Sequence, residues 1–162
     1  MKKLICFALA CITMLFACNP SDQSMTADEK AQIEAEVIET INNMLEVFLT
    51  IPDITLLKDY NLFNEDYSTM MDGVISVGGE KAIEMFTGAL ASIEKYIFAE
   101  TLLLEAIALD RNTAVVLAGF NEAYLTVTGD TVKVKGAATY VMELVEGKWM
   151  TVHLTGVHHP GE

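Results

Sequence analysis

From Tyr96 to His158 the chain alternates apolar and polar residues through four long segments. They run at about Ile97–Leu109, Thr113–Thr128, Thr131–Val145 and Lys148–His158, parted by Asp110-Arg111-Asn112, Gly129-Asp130 and Glu146-Gly147. Alternation with a period of two, bounded by turn residues, marks half-buried strands. Connections this short join antiparallel neighbours, so the second half of the chain reads as a β-meander with one face to be covered. The third segment is the clearest: Val132, Val134, Ala138, Tyr140, Met142 and Leu144 fall on one face, and Lys133, Lys135, Thr139 and Glu143 on the other. Asp130 and Gly147 suit tight hairpins.

The cover comes from the first half. Thr26-Ala27-Asp28-Glu29 has the form of a capping box, a Thr cap with a Glu three residues on. Ile33, Val37, Ile41, Met44, Leu45 and Phe48 then recur at helical spacing with Glu34, Glu36, Glu39 and Glu46 opposite, and Pro52 sets the end near Thr50. A short second helix fits Ile54–Tyr60. Tyr67–Asp72 and Val74–Val77 read as short extended pieces around Gly73. After Gly78-Gly79, Glu80 opens a third helix with acid at its positive end, and Ile83, Phe86, Leu90 and Ile93 mark its apolar stripe. Helices first and an antiparallel meander second make the class α+β.

The N-terminus sets the expected address. Met1-Lys2-Lys3 precedes a run from Leu4 to Ala17 that is apolar apart from Thr13 and stops at Cys18. The run is too short for a membrane span and has the build of a signal peptide. Leu15-Phe16-Ala17-Cys18 resembles a bacterial lipobox, which implies cleavage before a lipidated Cys18. The expected organisation is a signal at 1–17, the lipidated cysteine and a polar tether at 18–25, and one domain at 26–159. Cys6 and Cys11 leave with the signal, so a mature chain holding only Cys18 forms no internal disulfide and no cysteine metal site. Net charge is −13; loss of Lys2 and Lys3 leaves eight basic against twenty-three acidic residues, a net of −15. Such a surface repels nucleic-acid phosphates and anionic headgroups, leaving the lipid as the expected attachment. Asn19 in place of an inner-membrane-retaining Asp leans the expectation toward the outer membrane, on its periplasmic or surface face.

Three pieces in order resemble the nuclear-transport-factor-2-like superfold, in the branch of SnoaL-like polyketide cyclases, ketosteroid isomerase and kinase association domains. They are the long first helix leading through a short second one to Asp66-Tyr67-Ser68-Thr69-Met70-Met71-Asp72-Gly73, the helix opening Gly78-Gly79-Glu80-Lys81-Ala82-Ile83, and the final hairpin Tyr140–Leu144 followed by Gly147-Lys148-Trp149-Met150-Thr151-Val152-His153. The resemblance implies three helices on a strongly curved, cone-shaped antiparallel sheet enclosing a pocket. That fold hosts enzymes, binders and dimerisation modules alike.

Trp149, Thr151, His153 and Thr155 share a face if the last strand is regular, which aims His153 at the pocket as ligand contact or proton carrier. Asp72 lies near the place where the resemblance puts an isomerase general base, although Asp72-Gly73 is also a turn pair. The other isomerase groups are missing: Met44 or Phe48 stands where the first helix would carry a Tyr, and Thr139-Tyr140 where a second acid would sit. His158-His159 reads as a frayed tail, and with His153 it does not make three convergent metal ligands. Glu122 and Tyr124 share a face of the second β segment. The expected pocket is lined by Tyr67, Met70, Phe86, Tyr140, Met142, Trp149 and His153, with His153 and Asp72 as catalytic candidates and no metal or cofactor. The leading expectation is an envelope lipoprotein that binds a small apolar or amphipathic molecule and is more a binder than an enzyme. An isomerase, cyclase or hydratase, or a dimerising interaction module, are the alternatives. No nucleic acid is expected as partner, and a homodimer is permitted by Val141 and Val145 on the outer face.

Overall fold

The computed structural model describes residues 24–50 and 53–161. The signal at 1–17, Cys18 and the tether as far as residue 23 lie outside the described residues. No helix among the described residues is long and apolar enough to cross a membrane.

Helix α1 spans Ala27–Thr50. Its capping box is closed in both directions: Glu29 N–H donates to Thr26 Oγ1 at 3.1 Å, and Thr26 N–H to Glu29 Oε2 at 2.8 Å. Ile33, Val37, Ile41 and Met44 are buried, with Leu45 and Phe48 packed against the same core. The short α2, Ile54–Leu57, is capped by Asp53, whose Oδ1 accepts from Thr55 N–H. Helix α3 spans Gly79–Leu90. Ile93, placed on the stripe of that helix by its spacing, instead opens the next strand.

Six strands form one sheet: β1 Ser68–Met71, β2 Val74–Val77, β3 Ile93–Ala108, β4 Thr113–Thr126, β5 Thr131–Val145 and β6 Lys148–Pro160, in the order β2-β1-β6-β5-β4-β3. Every pairing is antiparallel except β1 with β6. Asp72-Gly73 and Glu146-Gly147 are two-residue hairpin turns with positive φ at both positions (51° and 83°; 51° and 80°), which matches the right-handed twist of their strands. The architecture is the expected α+β one, with helices on the concave face of a curved sheet.

The core lies between α1 and strands β4 to β6, around Val37, Ile41, Val116, Met142 and Trp149. Polar links at its edge fix the helix on the sheet. Arg111 in the β3–β4 turn donates to Glu29 at 3.2 Å, Ala108 N–H to Glu34 at 3.2 Å, and the Trp149 indole N–H to Glu36 at 3.1 Å.

One irregularity decides which face of β6 is inside. Val141 pairs with His153 and Met142 with Thr151, so Val152 is an extra residue on β6. Such a bulge shifts the alternation by one. Trp149 and Thr151 point inward before it, and Leu154, Gly156 and His158 point inward after it. His153 and Thr155 are thereby turned to the convex face, contrary to the regular-strand expectation.

Candidate functional site

The concave side of the sheet, α1 and α3 enclose a cavity of about 440 Å³. That volume lies in the range of small-molecule sites. Leu45 and Phe48 of α1, Phe86 and Leu90 of α3, and Ala118, Phe120, Ala138 and Leu154 of the sheet give it an apolar wall. Into this wall are set Asp72, Glu122 and His158, with Tyr96, Tyr124 and Tyr140.

The parallel pairing of β1 with β6 brings the first polar pair together. Met71 lies beside Gly156, and Asp72 N–H donates to the Gly156 carbonyl at 3.0 Å. The Asp72 carboxylate then accepts from His158 twice, from the backbone N–H at 2.7 Å and from ring Nδ1 at 2.8 Å. Burial pushes the Asp72 carboxyl up, but the side-chain and backbone hydrogen bonds from His158 and the nearby His158 and His159 charges outweigh it, and the group is held below its ordinary value. An ionised carboxylate only accepts, so Nδ1 of His158 carries a proton, and in the neutral form of the ring Nε2 is then the acceptor. The ring is braced from the other side by Phe120, centroids 5.5 Å apart. Phe120 reaches it across Gly136, where a Cβ would run into the Phe120 ring and the Val157 carbonyl. Only glycine leaves room for that approach.

The second polar group is Glu122. It is half-buried on β4, between Ala99 of β3 and Val134 of β5. Burial raises its carboxyl above the ordinary value, with His158 pulling weakly the other way. Tyr96 and Tyr124 pack edge to face at 6.1 Å, and Phe48 packs on Tyr96 at 5.9 Å. Tyr140 is 7% exposed, and burial with the Glu122 charge pushes its hydroxyl up to about 12. Tyr96 and Tyr124 are raised by burial first, with Glu122 adding to it. All three tyrosines are therefore neutral hydroxyls at neutral pH.

Of the residues expected to line a pocket, Phe86 and Tyr140 line this cavity, as does the catalytic candidate Asp72. His153 does not: on the convex face its Nδ1 is 2.7 Å from Ser68 Oγ and its Nε2 2.7 Å from Thr155 Oγ1. Met70 is also on that face, 36% exposed, because Thr69 and Met71 take the inner side of β1. Tyr67 is fully buried below the cavity, its hydroxyl donating to Asn61 Oδ1 at 3.2 Å. Met142 and Trp149 are core under α1. Trp149 borders a separate acidic surface cleft with Glu36, Glu39 and Asp59. His158, read as tail, is an ordered part of β6, paired with Gly136. Sequence reasoning also missed Tyr96 and Phe120; the shared face of Glu122 and Tyr124 was the one usable signal for this end of the site. Among the described residues no cluster of three or more His, Cys, Asp and Glu forms a metal site.

A carboxyl with a raised folded value binds its proton more tightly folded than unfolded. Glu122 therefore lowers stability as pH rises from its ordinary value through the raised one. Thermal denaturation of Glu122→Gln should show a higher Tm than the parent at neutral pH, with the gap closing as pH falls through that window. A variant of equal or lower Tm at neutral pH contradicts the assignment.

No protein-family model and no curated protein matches this sequence. Solved structures do. A nuclear transport factor 2-like superfamily protein from Salmonella enterica serovar Typhimurium superposes with a TM-score of 0.70 at 18% identity, covering 82% of this chain and 93% of that one. A ketosteroid isomerase-like protein from Erwinia carotovora gives 0.65 at 15% identity, covering 78% and 96%. A hexachlorocyclohexane dehydrochlorinase (LinA) type 2 gives 0.64 at 14%, covering 79% and 88%. At these identities the likeness is one of fold, and the fold is the nuclear-transport-factor-2-like cone.

Proposed function

We propose that the domain binds a small apolar or amphipathic molecule in the cavity between α1, α3 and the concave sheet. The observation that carries this reading is a cavity of about 440 Å³ with an aromatic and aliphatic wall and a few convergent polar groups. The same reading places the domain in the SnoaL-like branch of the fold, which its motifs resemble. The convex face, with Met70, Val77, Ile107 and Val157 exposed, is proposed as the contact between two copies. Native mass spectrometry of the chain from Asn19 onward tests both. A bound mass released on denaturation and a dimer peak are expected. Bare monomer at every concentration, before and after soaking with apolar compounds, would sink both.

Residues 1–18 support a lipid-anchored protein of the bacterial envelope, on the outer membrane, joined through Cys18. Metabolic labelling with a radioactive fatty acid should mark the parent and leave Cys18→Ser unlabelled. Label retained in C18S contradicts the anchor.

A second reading, acid–base catalysis of the isomerase, cyclase or hydratase type, is favoured by the Asp72–His158 pair. It replaces His153 with His158 as the proton carrier, with Nε2 as the base and Asp72 holding the tautomer. Incubated with a cyclic ketone in heavy water, the parent should incorporate deuterium beside the carbonyl, and His158→Gln should do so about 10²-fold more slowly. Absence of incorporation by the parent removes this reading.

A further inference from the structure

The charge of the cavity narrows what it takes. Among the described residues its lining holds three acids, Asp72, Glu100 and Glu122, of which Asp72 and Glu122 turn their side chains to it, against His158 as the one basic group, with no Lys or Arg. The inward-facing ionisable groups thus carry a formal charge of −2 with the imidazole neutral and −1 with it protonated. An apolar carboxylate or phosphate would shed its hydration into a field of its own sign and meet no cation there.

The three acids are not equivalent. Asp72 is engaged by His158 through two hydrogen bonds. Glu100 is exposed, and its pairing with Asn121, one place off the inward Ala99–Glu122 and Thr101–Phe120 pairs, turns its side chain to the convex side. Glu122 is half-buried and has no hydrogen-bond or ion-pair partner among the described residues, its electrostatic neighbours being His158 and the three tyrosines. A half-buried carboxylate in an apolar wall is costly unless a donor meets it. Beside it the Tyr96 and Tyr124 rings lie 6.1 Å apart, and a ring face attracts a cation. Further in, Tyr140 is 7% exposed, lines the cavity, and its hydroxyl has no hydrogen-bond partner among the described residues.

We propose that the ligand is an apolar amine, its protonated nitrogen seated on the Glu122 carboxylate beside the Tyr96 and Tyr124 rings and its hydrocarbon body along Phe48, Leu154 and Phe86. The proposal rests on the ligand-binding reading above and adds the ligand's charge to it. The ammonium supplies the donors that Glu122 lacks, and the acidic lining excludes fatty acids of the same length.

Three probes with one tail separate the two: n-decylamine, n-decanol and n-decanoic acid, titrated into the protein at neutral pH below their aggregation thresholds and followed calorimetrically. Decylamine should bind about tenfold or more tighter than decanol, as expected for a charge-assisted contact, and decanoate weakest. Glu122→Gln should bring decylamine to the affinity of decanol, while Glu100→Gln keeps most of the preference. Should E122Q not fold, Tyr124→Leu provides the second test: it lowers decylamine affinity severalfold and spares decanol. Decanoate binding as tightly as decylamine, or a preference untouched by both E122Q and Y124L, overturns the proposal and leaves the apolar pocket standing. Failure of all three probes to bind overturns the ligand-binding reading itself.

Discussion

One extra residue in the last strand governs the chemistry of this domain. Strand β6 is paired on both sides, antiparallel to β5 and parallel to β1, so every side chain along it must face either the core or the convex surface. Before Val152 the inward side chains are Trp149 and Thr151, which belong under α1. After it they are Leu154 and His158, which belong to the cavity. Without the bulge His153 would enter the cavity and His158 would leave it. The bulge therefore selects which imidazole meets Asp72, and the parallel β1 pairing supplies Asp72 at the matching height.

The remainder of the site follows from curvature and small residues. The sheet is long enough for β3 to β5 to run past the end of the core, and the unfilled end becomes the cavity. Gly136 lets Phe120 lie across β5 and brace the His158 ring. The polar groups are thus held by rigid strands on both sides, with α1 and α3 as the apolar roof. The acids among them follow the strongly acidic balance of the whole chain, but Glu122 differs from a surface acid in being half-buried without a hydrogen-bond or ion-pair partner among the described residues.

Local features were legible in the residues and long-range ones were not. The capping box at Thr26, the stripe from Ile33 to Phe48 and the four β segments rest on spacings that operate within a few residues, and the fold shows each close to where the spacing put it. Asp72-Gly73 was legible as a turn, and it is one; that its carboxylate also reaches His158 depends on a pairing with a strand eighty-odd residues away. Val152 is an ordinary β-former, and nothing in its neighbours announces a bulge, so regular alternation aims His153 at the cavity and leaves His158 as a tail, and the fold reverses both. Trp149 was correctly placed inward but lies at the end of the sheet that α1 covers, not at the open end. Distinguishing those ends requires knowing where the helix stops along the strands.

The account stands on the concave cavity, and not the convex face, being where small molecules bind. The most direct test is the amide NMR spectrum of the isotopically labelled protein titrated with n-decanol, a neutral probe that leaves the question of ligand charge aside. Shifts concentrated at Glu122, Tyr124, Tyr140 and His158, with Ser68, His153 and Thr155 unmoved, are the predicted result. Shifts confined to the convex face, or none at saturating probe, would contradict it.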